Sequence, residues 1–142
     1  AYEMCGRDWS SDVCSSDLNG TIMSPNHPQN YPNGVKCEWI IDLGSGYDIT
    51  LTFHKFVLET KENCEYDWVK VQEGNTADAP EKGTFCSNKL PPDIFTEGPM
   101  RIVFETDRDK EYEGFHMTWS AEGKIITVRN VFYSRYLKAQ LD

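Results

Sequence analysis

Glu59, Asp67 and Asp107 are the residues whose type and spacing point most directly to chemistry. Glu59 and Asp67 lie in LETKENCEYDWVKV, Leu58 to Val71, separated by seven residues that include Cys64. Before Glu59 the stretch ITLTFHKFVL is rich in β-branched and aromatic residues, and after Asp67 the stretch WVKVQ alternates, so the segment between them is predicted to be a strand-to-strand loop. Both carboxylates then reach one rim of a sheet. Asp107 follows the strand-like RIVFET and joins that rim if the strands run antiparallel. Three acids gathered at one edge repel one another unless a cation lies between them, and hard oxygen ligands suit calcium.

Other chemistries find little support. His27, His54 and His116 are scattered along the chain, and HExxH, a GxSxG elbow, a glycine-rich phosphate loop and a Ser/His/Asp ordering are all absent. Glu59 and Asp67 resemble a glycosidase pair only in being two acids, because the polar loop around them offers no apolar pocket to raise one pKa. The chain is read as non-enzymatic. A formal net charge of -9 opposes a phosphate-binding surface, which depends on Lys and Arg, and favours a cation or a basic partner. No apolar run approaches the roughly 20 residues of a membrane span, so membrane insertion is not expected. Five cysteines without CxxC or Cys/His spacing fit disulfides better than zinc and imply an oxidising compartment with one cysteine left over.

The elements that must position these residues are short strands. The 142 residues include seven Phe, seven Tyr and four Trp, enough for one core. Three prolines between Ser24 and Gly34 predict an irregular excursion. A strand follows, with Cys37, Trp39 and Ile41 on one face. In the next, Ile49, Leu51 and Phe53 alternate with Thr50, Thr52 and His54 before the apolar phase shifts to Phe56 and Leu58, which predicts a β-bulge near His54-Lys55. Glu73 to Lys82 reads as a polar connection, a short strand surrounds Thr84-Phe85-Cys86, and Leu90-Pro91-Pro92 opens another excursion. Met100, Ile102 and Phe104 mark one further strand and Phe115, Met117 and Trp119 the last. No ten-residue window has helical periodicity, so the fold class is all-β, an antiparallel sandwich.

The two ends read differently. Asp8 to Leu18, DWSSDVCSSDL, matches letter for letter one translated frame of a common sequencing-library adapter, so residues 1–18 are expected to be a non-native or disordered leader. Residues 19–122 form the expected domain, opening on Asn19-Gly20-Thr21, an N-glycosylation acceptor. Residues 123–142 begin like a strand, then turn basic and aromatic, and are expected to be a linker or a non-native tail.

SPNHPQNYP, Cys37-Glu38-Trp39-Ile40-Ile41, FVLE, CEYDWVKV, GTFCS, Pro91-Pro92, RIVFETD and EGFHMTW, in that order between Gly20 and Ala121, resemble a CUB domain. The resemblance implies a jelly-roll-like β-sandwich in an extracellular, secreted or receptor protein of several domains, used for protein-protein recognition. It also implies that Cys64 pairs with Cys86, and Cys37 with an upstream cysteine, for which Cys14 and Cys5 are both candidates. The chain further resembles the calcium-binding subset, which places Glu59, Asp67 and Asp107 as Ca2+ ligands, Tyr31 as the tyrosine that steadies the Glu, and the loop from Asp107 to Lys110 as a source of further oxygens. Asp109 is an additional candidate ligand. In that subset the ordered carboxylates receive a Lys or Arg of a protein partner, with Trp68 and Tyr112 either bordering the contact or simply structural. The competing expectation is a secreted carbohydrate-binding or purely structural sandwich.

Overall fold

The computed structural model describes residues 2–5, 8–10, 18–44 and 46–124, with side chains from residue 18 onward. Its strands are β1 (Tyr2–Cys5), β2 (Asp8–Ser10), β3 (Asn19–Met23), β4 (Lys36–Ile41), β5 (Tyr47–Val57), β6 (Trp68–Glu73), β7 (Glu81–Phe85), β8 (Ile94–Thr96), β9 (Met100–Glu105) and β10 (Gly114–Gly123). They form two antiparallel sheets, one ordered β2-β1-β4-β9-β6-β7 and the other β3-β10-β5-β8. The all-β antiparallel sandwich expected from the alternation, jelly-roll-like as the family resemblance implied, is the fold.

Alternation decides which side chains meet between the sheets. The six-stranded sheet turns Trp39, Ile41, Val69, Val71, Ile102 and Phe104 inward, and the four-stranded sheet answers with Ile49, Leu51, Phe53, Phe115 and Met117, all less than 5% exposed. Phe104 and Phe115 meet edge to face, ring centres 4.9 Å apart, and so tie one sheet to the other. The phase shift in β5 is a bulge: Phe53 pairs with Met117 and Lys55 with His116, which leaves His54 as the extra residue. Register then continues as far as Val57 opposite Gly114, and the shift is what lets Phe56 and Leu58 turn inward.

Two features depart from the sequence reading. The stretch after Pro92, taken as excursion, contains β8, which pairs Ile94, Phe95 and Thr96 with β5. Upstream, backbone pairing does not wait for residue 19, because β1 pairs with β4 from Tyr2 opposite Ile40 to Cys5 opposite Cys37, and β2 pairs with β1. Cys14 and residues 125–142 lie outside the described residues.

Candidate metal centre

Three connections converge on one end of the sandwich. β6 and β9 are antiparallel neighbours with Trp68 opposite Glu105, so Asp67 just before β6 and Asp107 just after β9 emerge at the same edge. Glu59 comes from the other sheet, two residues past β5. Its backbone is held across the rim: the Leu58 amide donates to the Ser87 carbonyl at 2.9 Å, and the Ser87 amide donates to the Glu59 carbonyl at 3.2 Å. The disulfide between Cys64 and Cys86 crosslinks the intervening loop to the segment after β7, and Leu58, 1% exposed, anchors its start in the core.

The result is a cluster in which one oxygen each from Glu59, Asp67 and Asp107 lies within 4.8 Å of the others. Oxygens bound to one Ca2+ at about 2.3–2.6 Å are at most roughly 5 Å apart, so the spacing suits a shared ion. Glu59 is 4% exposed and Asp67 is fully buried. The Asp67 carboxylate is well supplied, accepting from the Tyr31 hydroxyl at 2.5 Å on Oδ2 and from the Asp107 amide at 2.8 Å on Oδ1. Glu59 is not, since its Oε2 is buried with no hydrogen-bond partner. A buried acceptor without a donor costs free energy, and a cation would satisfy it.

Electrostatics agree with geometry. Burial pushes the Glu59 carboxyl above its ordinary range, with Asp107 and Asp67 adding to the shift and Lys110 opposing it. Burial also pushes Asp67 up, against the stabilising hydrogen bonds from Tyr31 and the Asp107 backbone. The Tyr31 hydroxyl is raised by burial and by Asp67, so it stays a donor at any physiological pH. Without a cation, the cluster therefore holds charge at a cost.

The placements refine the sequence assignments. Tyr31 steadies Asp67 through its hydroxyl, and it is fully buried against Phe104, with ring centres 5.2 Å apart, so it supports the cluster from beneath. The segment after it is tied to the Asp107 loop, where the Gly34 amide donates to the Asp107 carbonyl at 2.6 Å and the Thr106 amide to the Val35 carbonyl at 3.0 Å. Asp109 is exposed and outside the cluster, and its amide donates to Asp107 Oδ1 at 2.9 Å. Trp68 is half-buried under Lys70, whose ammonium lies 5.0 Å from the ring centre, and Tyr112 packs against the core. Asn19 is exposed at the start of β3. Cys37 is disulfide-bonded. The residue that sequence reasoning did not single out is Lys110, whose Nζ lies 3.7 Å from Glu59 Oε1 while its side chain is 70% exposed. The only hint was a cation three positions after Asp107.

A family model described as CUB domain matches residues 5–119. Cubilin from Rattus norvegicus is 35% identical over 126 residues, 84% of this chain and 4% of that protein. Tolloid-like protein 1 from Homo sapiens is 37% identical over 105 residues, 73% of this chain and 10% of its own length. The chain thus spans a small fraction of these relatives. Among solved structures, the CUB1-EGF-CUB2 region of human MASP-1/3 superposes with a TM-score of 0.67 at 31% identity, covering 76% of this chain and 43% of that one. A crystal structure of the MASP-1 CUB2 domain bound to Ca2+ superposes with a TM-score of 0.65 at 32% identity, covering 75% of this chain and 99% of that one.

Proposed function

The chain belongs to the CUB domain family, and from that membership we propose that it is a calcium-dependent recognition module, in which Glu59, Asp67 and Asp107 hold Ca2+ and present ordered oxygens to a basic side chain of a protein partner. At the coarser level the chain is an extracellular interaction domain, and catalysis is not its task. Among the described residues, no helix is long and apolar enough to cross a membrane.

The observation that carries the proposal is the unpartnered, buried Oε2 of Glu59 beside two further carboxylates. Bound there, Ca2+ supplies the positive charge that lets all three acids stay ionised in a sheltered place. The protein's own residues do the rest. Tyr31 and the Asp107 amide fix the Asp67 carboxylate, and the Asp109 amide fixes Asp107. A carboxylate already oriented binds a cationic side chain without first giving up rotamer freedom, through charge-assisted hydrogen bonds that also reject acidic partners. Lys110 supports the second half of the reading, because its ammonium lies 3.7 Å from Glu59 Oε1, within ion-pair distance of one carboxylate of the cluster.

Calorimetric titration of the metal-stripped chain with Ca2+ tests the site: one ion per chain is expected, lost in Asp107→Ala. Binding of an immobilised lysine-rich peptide, measured with Ca2+ and then with EDTA, tests the recognition step. The expected signal needs Ca2+, disappears in Glu59→Ala, and is competed by free lysine and by salt. The carbohydrate alternative has one observation of its own, an open groove of about 300 Å³ lined by Asn19, Thr21, Thr52, Thr118 and Ser120. Peptide capture that ignores Ca2+, together with competition by simple sugars, would favour that reading instead.

A further inference from the structure

All three histidines of the chain, at positions 27, 54 and 116, converge on the exposed face of the four-stranded sheet, although they lie 27 and 62 positions apart in sequence. His54 and His116 come from neighbouring strands, β5 and β10, with ring centres 5.1 Å apart. His27, on the excursion after β3, has its ring centre 6.0 Å from that of His116. They form a row across the strands, with His116 in the middle. The bulge modifies the pairing here: regular register from Met117 opposite Phe53 would set His116 directly opposite His54, and the extra residue instead pairs His116 with Lys55 while His54 stays beside it.

We propose that His54 and His116 clamp a borderline transition-metal dication such as Zn2+, with His27 supporting the clamp from the far side of His116. Two imidazoles bound to one tetrahedral Zn2+ at about 2.0–2.1 Å place their ring centres roughly 5 Å apart, which is the separation of His54 and His116. The third ring, on a loop with its centre 6.0 Å from that of His116, borders the pair without completing it. Its Nδ1 is buried and has no hydrogen-bond partner, so one polar atom of the row is already unsatisfied. His54 binds the Thr118 hydroxyl through Nε2 at 2.7 Å, which fixes the ring and leaves Nδ1 for a ligand bond. Lys55, the register partner of His116, is neutralised by Glu113 at 2.5 Å, so its charge does not oppose a dication nearby.

Ligand chemistry separates this clamp from the acidic cluster. Carboxylates and carbonyls suit Ca2+, whereas imidazoles suit Zn2+, Cu2+ and Ni2+. The acidic cluster lies at the end of the sandwich and the histidines on the exposed face of β5 and β10, so each can be read while the other is saturated or disabled.

The test is a Zn2+ titration of the whole chain in saturating Ca2+, followed by calorimetry and by NMR of the imidazole resonances. One Zn2+ per chain is expected, shifting the resonances of His54 and His116. His54→Gln and His116→Gln should each weaken binding by about tenfold or more, with a smaller loss in His27→Gln. Glu59→Gln should leave Zn2+ binding unchanged while removing the Ca2+ response. If His116→Gln lowers the melting temperature in the absence of metal, the exposed His54 carries the test. Absence of binding at about 100 μM Zn2+, binding that survives His54→Gln, or displacement by Ca2+ overturns the proposal.

Discussion

A carboxylate that is nearly inaccessible and faces two others favours its protonated form, and Glu59 is in that position. Because folding raises the pKa of Glu59 and of Asp67, these groups stabilise the ion-free fold below their ordinary values near 4, and that contribution is lost as pH rises through the folded values. In EDTA the melting temperature should therefore carry a downward contribution from about pH 4 towards neutrality, which Ca2+ removes because bound carboxylates are ionised. Glu59→Gln should flatten that part of the profile and abolish the calcium response, and an unchanged profile would mean that the acid is not under tension. Lys110 acts in the opposite sense. Its ammonium relieves Glu59 when no ion is present, so it competes with Ca2+, and Lys110→Gln should raise calcium affinity by about two- to fivefold in a calorimetric titration.

At the level of elements, the loop from Leu58 to Asp67 must hold two carboxylates of the cluster in a fixed relation while running between sheets, and it contains left-handed residues at Asn63 and Cys64. Such a loop depends on its crosslink. The bridge from Cys64 to Cys86 spans 22 positions, and on the chain-entropy model its removal costs about 3 kcal/mol. The double variant Cys64→Ala, Cys86→Ala should unfold at correspondingly lower denaturant and bind Ca2+ more weakly, because Glu59 and Asp67 lose their common frame. For Cys37, the antiparallel register sets Cys5 directly opposite, so peptide mass mapping under non-reducing conditions should recover Cys37 joined to Cys5. Recovery with Cys14 would reverse that assignment. Local pattern carried much of this level: the bulge at His54 was visible as a shift in apolar phase, and the excursion around three prolines was visible as missing amide donors. Strand β8 was not, because three residues after Pro91-Pro92 have no room to show alternation. Its existence is decided by pairing with the middle of β5, a contact remote in sequence.

For the whole molecule, what matters is that the two sheets meet the acidic cluster from opposite sides. Glu59 continues from the four-stranded sheet, Asp67 and Asp107 from the six-stranded one, and Tyr31, on the excursion after β3 of the four-stranded sheet, reaches the six-stranded one by packing on Phe104 and donating to Asp67. The convergence of the acids was legible because each follows a strand whose direction is fixed by antiparallel pairing. The row of histidines was not, because it depends on which strands become neighbours across a sheet, and sequence distance says nothing about that. The same architecture limits where an ion can act. Ca2+ held as proposed would crosslink the sheets at one end only, so hydrogen exchange should slow on calcium addition at Glu59 to Asp67, at Gly34 and Val35, and at Thr106 to Lys110, where the backbones are already joined by hydrogen bonds. β8 and the hairpin turn between β6 and β7 lie away from that rim and should exchange at unchanged rates. Protection spread evenly through both sheets would instead mean that the ion stabilises the fold globally, and the acids would then serve as a staple with no ordered rim for a partner to read.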